Sequence, residues 1–110
     1  MSNISILYVP SNARELLSWI AILNNECVGN IHLQIEPKKT IKFLDAWVHE
    51  DHRRQGIYRK LWDTRWEFVQ QKYKGYKIYA WCRPMSLPLL LEKGFKKGDT
   101  CIYVEKKITK

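Results

Sequence analysis

The stretch from Trp47 to Leu61, WVHEDHRRQGIYRKL, constrains the fold more than any other part of this chain. An apolar, β-prone run ends at Val48, a short basic turn with one glycine follows, and helical spacing of apolar residues begins at once. The first N–H groups of a helix have no intrahelical acceptors and carry the positive end of the helix dipole. A strand feeding such a turn is therefore a way to hold an anion. Arg53, Arg54, Arg59 and Lys60 add full positive charges around the same point.

The rest of the composition limits which anion. A length of 110 residues implies one domain, spanning 1–110, with enough chain for a single core. The net charge of 19 − 11 = +8 favours an anionic partner: a phosphorylated cofactor, nucleic acid or an acidic protein surface. Lys38, Lys39, Lys72, Lys74, Lys96, Lys97, Lys106, Lys107 and Lys110 read equally well as a solvated exterior. No run approaches the ~20 apolar residues of a membrane span, and the start lacks a basic segment followed by an apolar one, so a cytoplasmic setting is expected. Cys27, Cys82 and Cys101 are odd in number and far apart, which points to reduced, buried thiols rather than a disulfide framework or zinc site. His49, Glu50, Asp51 and His52 lack the helical i, i+4 histidine pair of a zincin, so no metal is expected.

Periodicity gives an order of elements. Ile4 to Val9 is a short β-prone run closed by Pro10, and Ser11 or Asn12 can cap a brief helix over Ala13 to Leu17. Trp19 to Leu23 reads as a strand, Asn24-Asn25-Glu26 as a turn, and Ile31, Leu33 and Ile35 alternate with polar residues as a half-buried strand. Ile41 to Val48 is apolar save Lys42 and Asp45, as in a central strand covered on both faces. The helix after Gly56 runs to about Tyr73, with Ile57, Tyr58, Leu61, Trp62, Trp66, Phe68, Val69 and Tyr73 on its apolar face. Tyr76 to Cys82 is a further strand, Leu87 to Glu92 a short helix stopped at Gly94, and Thr100 to Glu105 a last strand. The class is α/β with a mixed sheet.

With this order in place, residues 19 to 105 resemble the GNAT superfamily of acetyl-CoA-dependent N-acyltransferases. Arg53-Arg54-Gln55-Gly56-Ile57-Tyr58 resembles the family's cofactor motif at Arg53 and Gly56, and Glu92-Lys93-Gly94-Phe95 resembles its second motif, with one strand between them as expected. The resemblance implies a mostly antiparallel central sheet with flanking helices and a splay between the strand ending at Val48 and the strand Tyr76 to Cys82. It implies that acetyl-CoA is the acyl donor. Its pyrophosphate would lie on backbone N–H groups of the turn formed by Arg53, Arg54, Gln55, Gly56, Ile57, Tyr58 and Arg59. Its pantetheine would run in the splay beside Trp47, Val48 and His49. An amine would attack the thioester directly, with a base taking its proton and an N–H in the splay polarising the carbonyl.

The chain departs from the family's pattern at three positions. Tyr58 stands where Gly or Ala is usual, so its ring must turn away from the phosphates or stack on the cofactor. Leu90 stands at the usual proton-donating tyrosine, leaving Tyr79, Tyr103, Cys82 or water for that role, and Arg83 replaces a common Asn. The short segment before Trp19 leaves room for an open acceptor side suited to a protein or peptide amine. Asp45 is the candidate base inside the strand run, or else a structural hydrogen-bond partner; His49 is a base directly or through water, or else a surface histidine. Trp47 and Trp81 stand on the two strands that should part. An RNA-binding module is the outside rival, on charge and on Lys74 to Tyr79, but its partner motif is absent, so nucleic acid is not expected. The alternative within the family is a catalytically degenerate acyl-CoA-binding or protein-interaction module, suggested by Leu90.

Overall fold

The computed structural model describes residues 4–9, 15–44, 46–81, 87–97 and 103–108. Eight strands form one sheet: β1 (Ser5–Val9), β2 (Leu16–Leu23), β3 (Glu26–Glu36), β4 (Thr40–Phe43), β5 (Trp47–Val48), β6 (Lys77–Trp81), β7 (Lys96–Lys97) and β8 (Tyr103–Lys107). The order is β1-β2-β3-β4-β6-β8-β7, with β5 off this path and paired to β3. Among the described residues only β4 and β6 pair in parallel; the other pairings are antiparallel. The sheet is thus mixed and mostly antiparallel, as expected, and two helices flank it: α1 (Ile57–Lys72) and α2 (Leu87–Glu92).

The core lies between one sheet face and the helices. Helix α1 buries Ile57, Leu61, Trp62, Arg65, Trp66 and Val69, a stripe at the i, i+4 spacing that the sequence shows apart from the arginine. The stripe covers Trp19, Ile31, Leu33, Ile41, Phe43 and Ile78, which project from alternate positions of β2, β3, β4 and β6, and Val28, at the bulge in β3, joins the same core. Helix α2 sits beside α1 on the same face. Phe95 packs 5.6 Å from Trp66 and 6.0 Å from Phe43 (ring centroids), while Lys93 bridges Asp63 at 3.0 Å and Glu92 bridges Arg59 at 3.1 Å. The Glu92-Lys93-Gly94-Phe95 signature is therefore a clamp between the two helices. Gly94 takes φ of 92° where the chain reverses, and the N–H of Phe95 returns to the Leu90 carbonyl at 3.1 Å.

Four expectations need correction. Leu16 and Leu17 open β2 opposite Gln34 and Leu33 instead of ending a helix; residues 13 and 14 of that expected helix lie outside the described residues. The single strand from Ile41 to Val48 is instead two strands, β4 ending at Phe43 and β5 beginning at Trp47. The last strand occupies Tyr103–Lys107, later than expected, and pairs with the unforeseen β7. Cys27 is exposed rather than buried; Cys82 and Cys101 lie outside the described residues.

Candidate functional site

The site grows out of the break between β4 and β5. Leu33 pairs with Phe43 and Asn30 with Trp47, so between these pairs β3 has two residues and the facing chain three. That shift of one residue turns the chain away from β6. The parallel β4–β6 ladder runs from Thr40 opposite Lys77 to Phe43 opposite Ala80, after which β5 follows β3 alone. A gap therefore opens between β5 and β6, at the end of the sheet where α1 begins. This is the splay that the sequence led us to expect.

Main-chain polarity in the gap follows from strand alternation. His49 donates its N–H to the Val28 carbonyl at 2.8 Å, which turns His49 and Trp47 toward β3 and Val48 away from it. The Val48 carbonyl accepts from Arg53 Nε at 3.0 Å, which ties the basic turn to the end of the strand. The Val48 N–H points to the gap side.

Below the gap lies the turn into α1. Arg54 has φ of 65° and Gly56, the N-cap residue, has φ of 79°, both left-handed. These two residues turn the chain from the end of β5 into the start of α1, whose opening N–H groups carry the positive end of the helix dipole. The first acceptor inside the helix is the Gly56 carbonyl, bonded to Lys60 N–H at 3.0 Å, and the N–H groups opening the helix precede it. A Cβ placed on Gly56 would meet nothing within 4 Å, so the space above the turn is open, and it is the backbone angle that asks for glycine. Arg53, Arg54 and Gln55 are exposed around this space; Ile57 is buried beneath it, and the half-buried Tyr58 packs against the core. Arg59 lies alongside, its guanidinium on the Glu92 carboxylate, which raises its already high pKa through that hydrogen bond and charge.

Two residues missed from the sequence hold this geometry. Gly29 lets α1 close onto the sheet: a Cβ there would stand 2.9 Å from the Trp47 carbonyl oxygen and 3.2 Å from Leu61. Arg65, 2% exposed, sends Nη1 to the carbonyls of His32 (2.8 Å) and Leu44 (3.0 Å) and stacks its guanidinium 3.7 Å from the Phe43 ring centroid. It pins the register shift from beneath.

The far face of the sheet carries no helix among the described residues. Ser18, Asn30, His32, Gln34, Glu36, Lys42 and Tyr79 alternate with core residues and face that side, where Trp47 and Trp81 are about half exposed (43% and 51%). Ser18 Oγ lies 2.6 Å from His32 Nδ1, and His32 Nε2 lies 3.2 Å from Asn30 Oδ1. Burial, then the charge of Arg65, lowers the His32 pKa below 6.5. Tyr79 donates to the Glu36 carboxylate at 2.8 Å. The hairpin turn at Asn24-Asn25 alone would set Ser18 opposite Ile31; the bulge between Ala21 and Ile22 shifts the register by one and brings Ser18 opposite His32, which the sequence did not signal.

Of the two expected bases, Asp45 lies outside the described residues, as do Cys82 and Arg83. His49 caps the short 3-10 turn Glu50–His52: its Nδ1 accepts the Asp51 N–H at 3.1 Å, which leaves the ring proton on Nε2 in the neutral form. Leu90 is buried, 3% exposed. No described helix is long and apolar enough to cross a membrane.

The family model for the acetyltransferase (GNAT) family matches residues 5–97. No curated protein matches the sequence. Among solved structures, the fold is similar to an IAA acetyltransferase from Bacillus cereus (14% identity over 96% of this chain and 100% of that one, TM-score 0.73). It is also similar to the PaiA N-acetyltransferase of Thermoplasma acidophilum in complex with coenzyme A (19%, 84% and 61%, TM-score 0.67). A third similar structure is the ribosomal-protein-S18-alanine N-acetyltransferase of Escherichia coli (15%, 90% and 73%, TM-score 0.71). At these identities the likeness is one of fold.

Proposed function

We propose that this chain, which belongs to the GNAT family of acetyltransferases, transfers the acetyl group of acetyl-CoA to a primary amine carried by a protein or peptide, with residues 1–110 acting as one acyltransferase domain. The observation that carries this reading is the gap beside β5, opened where the β4–β6 ladder stops at Phe43 and Ala80, directly above the turn into α1. A long ligand with a phosphate end and a thin amide-bearing arm suits that shape. The pyrophosphate would sit on the turn from Arg53 to Arg59, drawn by the helix dipole and the exposed arginines. The arm would run past Trp47, Val48 and His49, with the Val48 N–H as its main-chain partner. Coenzyme A in the PaiA structure is consistent with that donor.

The chemistry needs little covalent help. The amine lone pair attacks the thioester carbonyl, a C–N bond forms, the C–S bond breaks, and the amine loses a proton. A main-chain N–H in the gap, with Ala46 next along from Val48 on the alternating strand, stabilises charge on the carbonyl oxygen. Asp45 and His49, the two bases expected from the sequence, stand beside this point in the chain, and His49 already uses Nδ1 as a cap. Leu90 offers no proton to the departing thiolate, so water supplies it. The bare sheet face supports a bulky acceptor.

The buried Leu90 also favours a second reading, an acyl-CoA-binding or protein-interaction module without turnover. Calorimetry with acetyl-CoA, together with thiol release in the presence of a lysine-rich peptide and of spermidine, separates the two. Binding with release supports the transferase; binding without release supports the module; absence of binding sinks both. Gly56→Glu is expected to abolish binding, since it puts a carboxylate against the pyrophosphate and an L side chain at φ of 79°.

A further inference from the structure

We infer that His32 takes the proton from the acceptor amine, its imidazole standing on the open sheet face beside the register shift that parts β5 from β6, held in place by Ser18 and Asn30. The inference rests on the transferase reading above and names a group in that site which the sequence did not bring forward.

Position comes first. Ile31 and Leu33 are fully buried against the helices, so His32 between them projects to the bare face. Its carbonyl accepts Leu44 N–H at 3.2 Å and Arg65 Nη1 at 2.8 Å, which fixes its backbone at the shift itself. The Leu44 N–H on its carbonyl puts His32 one strand from the end of the β4–β6 ladder, so an amine crossing the open face toward the gap passes its imidazole.

Orientation comes next. Ser18, directly across from His32 on β2, holds Nδ1 at 2.6 Å. Nε2 points along β3 toward Asn30, the cross-strand partner of Trp47, and so toward β5. The 3.2 Å contact to Asn30 is the looser of the two, and an incoming amine displaces it with little loss. Both neighbours present oxygen atoms. With Asn30 in place the neutral ring carries its hydrogen on Nε2, donated to Asn30 Oδ1, and Nδ1 accepts from the Ser18 hydroxyl; when the amine displaces Asn30 that hydrogen passes to Nδ1, Ser18 turns to accept it, and Nε2 is left as the base. Once Nε2 gains the amine proton, the imidazolium donates from Nδ1 to Ser18 and from Nε2 to Asn30.

The resting ring is neutral, as a base must be, because burial and the Arg65 charge disfavour its protonation. The groups facing it from the packed elements are Arg65 from α1, Lys42 on the same face of β4, and the uncharged Ser18, Asn30 and Gln34 of β2 and β3. In the balanced step the amine proton moves to His32 Nε2, the acetyl group passes from sulfur to nitrogen, and coenzyme A leaves as a thiolate that takes a proton from water. His32 then releases its proton to solvent.

The test uses the full chain, acetyl-CoA and a lysine-rich peptide, with thiol release followed against pH and acetyl-CoA affinity measured by calorimetry. His32→Gln is expected to lower kcat about 100-fold or more, leave acetyl-CoA affinity within about twofold, and erase the acid limb of kcat/KM expected of the wild type below pH 6.5. His32→Ala, with added imidazole, is expected to recover part of the rate, which a merely misfolded chain does not do. Ser18→Ala is expected to lower kcat less and to shift the limb. Wild-type kcat and an unchanged pH profile in His32→Gln overturn the assignment, and so does loss of acetyl-CoA affinity in parallel with rate without imidazole rescue. A wild type that binds acetyl-CoA but releases no thiol overturns the transferase reading, and this inference with it.

Discussion

Two glycines serve the site for different reasons, and their variants should part accordingly. Gly56 needs its left-handed angle, φ of 79°, and has open space where a Cβ would stand. Gly56→Ala is therefore expected to cost about 1–2 kcal/mol of stability, with no clash inside the protein. Gly29 needs space: a Cβ 2.9 Å from the Trp47 carbonyl cannot be accepted without moving β5 or α1. Gly29→Ala is expected to destabilise by about 1–3 kcal/mol and also to weaken acetyl-CoA binding, because the cradle moves with α1. Urea denaturation and calorimetry on the two variants check this; undiminished affinity in Gly29→Ala would mean that the approach of helix to sheet does not set the cradle. His32 adds a pH dependence at the same scale. Its folded pKa is lowered, so the unfolded chain binds more protons as pH falls through 6.5, and stability declines with acid. Denaturation from pH 7 to 5 is expected to show a smaller decline in His32→Asn than in the wild type.

At the level of elements, the register shift between β4 and β5 depends on α1 through one side chain. Arg65→Met keeps the bulk of the side chain but leaves the His32 and Leu44 carbonyls without the charged donor that now holds them. Losing charged hydrogen bonds from a buried site is expected to cost on the order of 3 kcal/mol. The variant should also move the acid limb at His32 to higher pH, since a positive charge that opposes its protonation is gone. Chemical denaturation and the pH profile read the two effects separately; an unmoved limb would show that Arg65 acts only on the backbone. The same element explains what the sequence reveals and hides. Helix α1 is legible to within a residue, because Gly56 marks its start and the apolar stripe its length. Arg65 hides in that stripe, since helical spacing cannot say whether a charged member faces water or two carbonyls. The break after Phe43 is hidden because alternation along a strand carries no record of its partner. Leu16 and Leu17 follow a plausible helix cap, yet pairing with β3 overrides that local preference. Val48, the turn and Gly56 stood out in the sequence as a strand, a basic turn and a helix start, and the parting of β5 from β6 was expected through the family resemblance alone, not from the residues of the strand.

On the scale of the whole molecule, the sheet is two parts joined through the four residue pairs of β4 and β6. Strands β1, β2, β3 and β5 lie on one side of that seam and β8 and β7 on the other, and beyond Phe43 the seam is open. A cofactor lodged in the opening touches both sides and the start of α1, so it should act on the stability of the entire fold rather than on a loop. Because it binds the native chain alone, a concentration of about 100 times Kd adds roughly 2.7 kcal/mol, which at about 4 °C or more per kcal/mol is a rise on the order of 10 °C in Tm. The net charge of +8 and the exposed Arg53 and Arg54 make much of that binding electrostatic. Raising salt from about 0.1 M to 1 M shortens the screening length from ~10 Å to ~3 Å and should shrink the rise at fixed acetyl-CoA, while the unliganded Tm changes less. Hydrogen exchange should slow at Val48 and at the opening N–H groups of α1 in the same experiment. Thermal melts with and without acetyl-CoA at both salt concentrations decide the matter: a rise that is absent, or that is equally large in Gly56→Glu, would remove the ligand from the gap between β5 and β6.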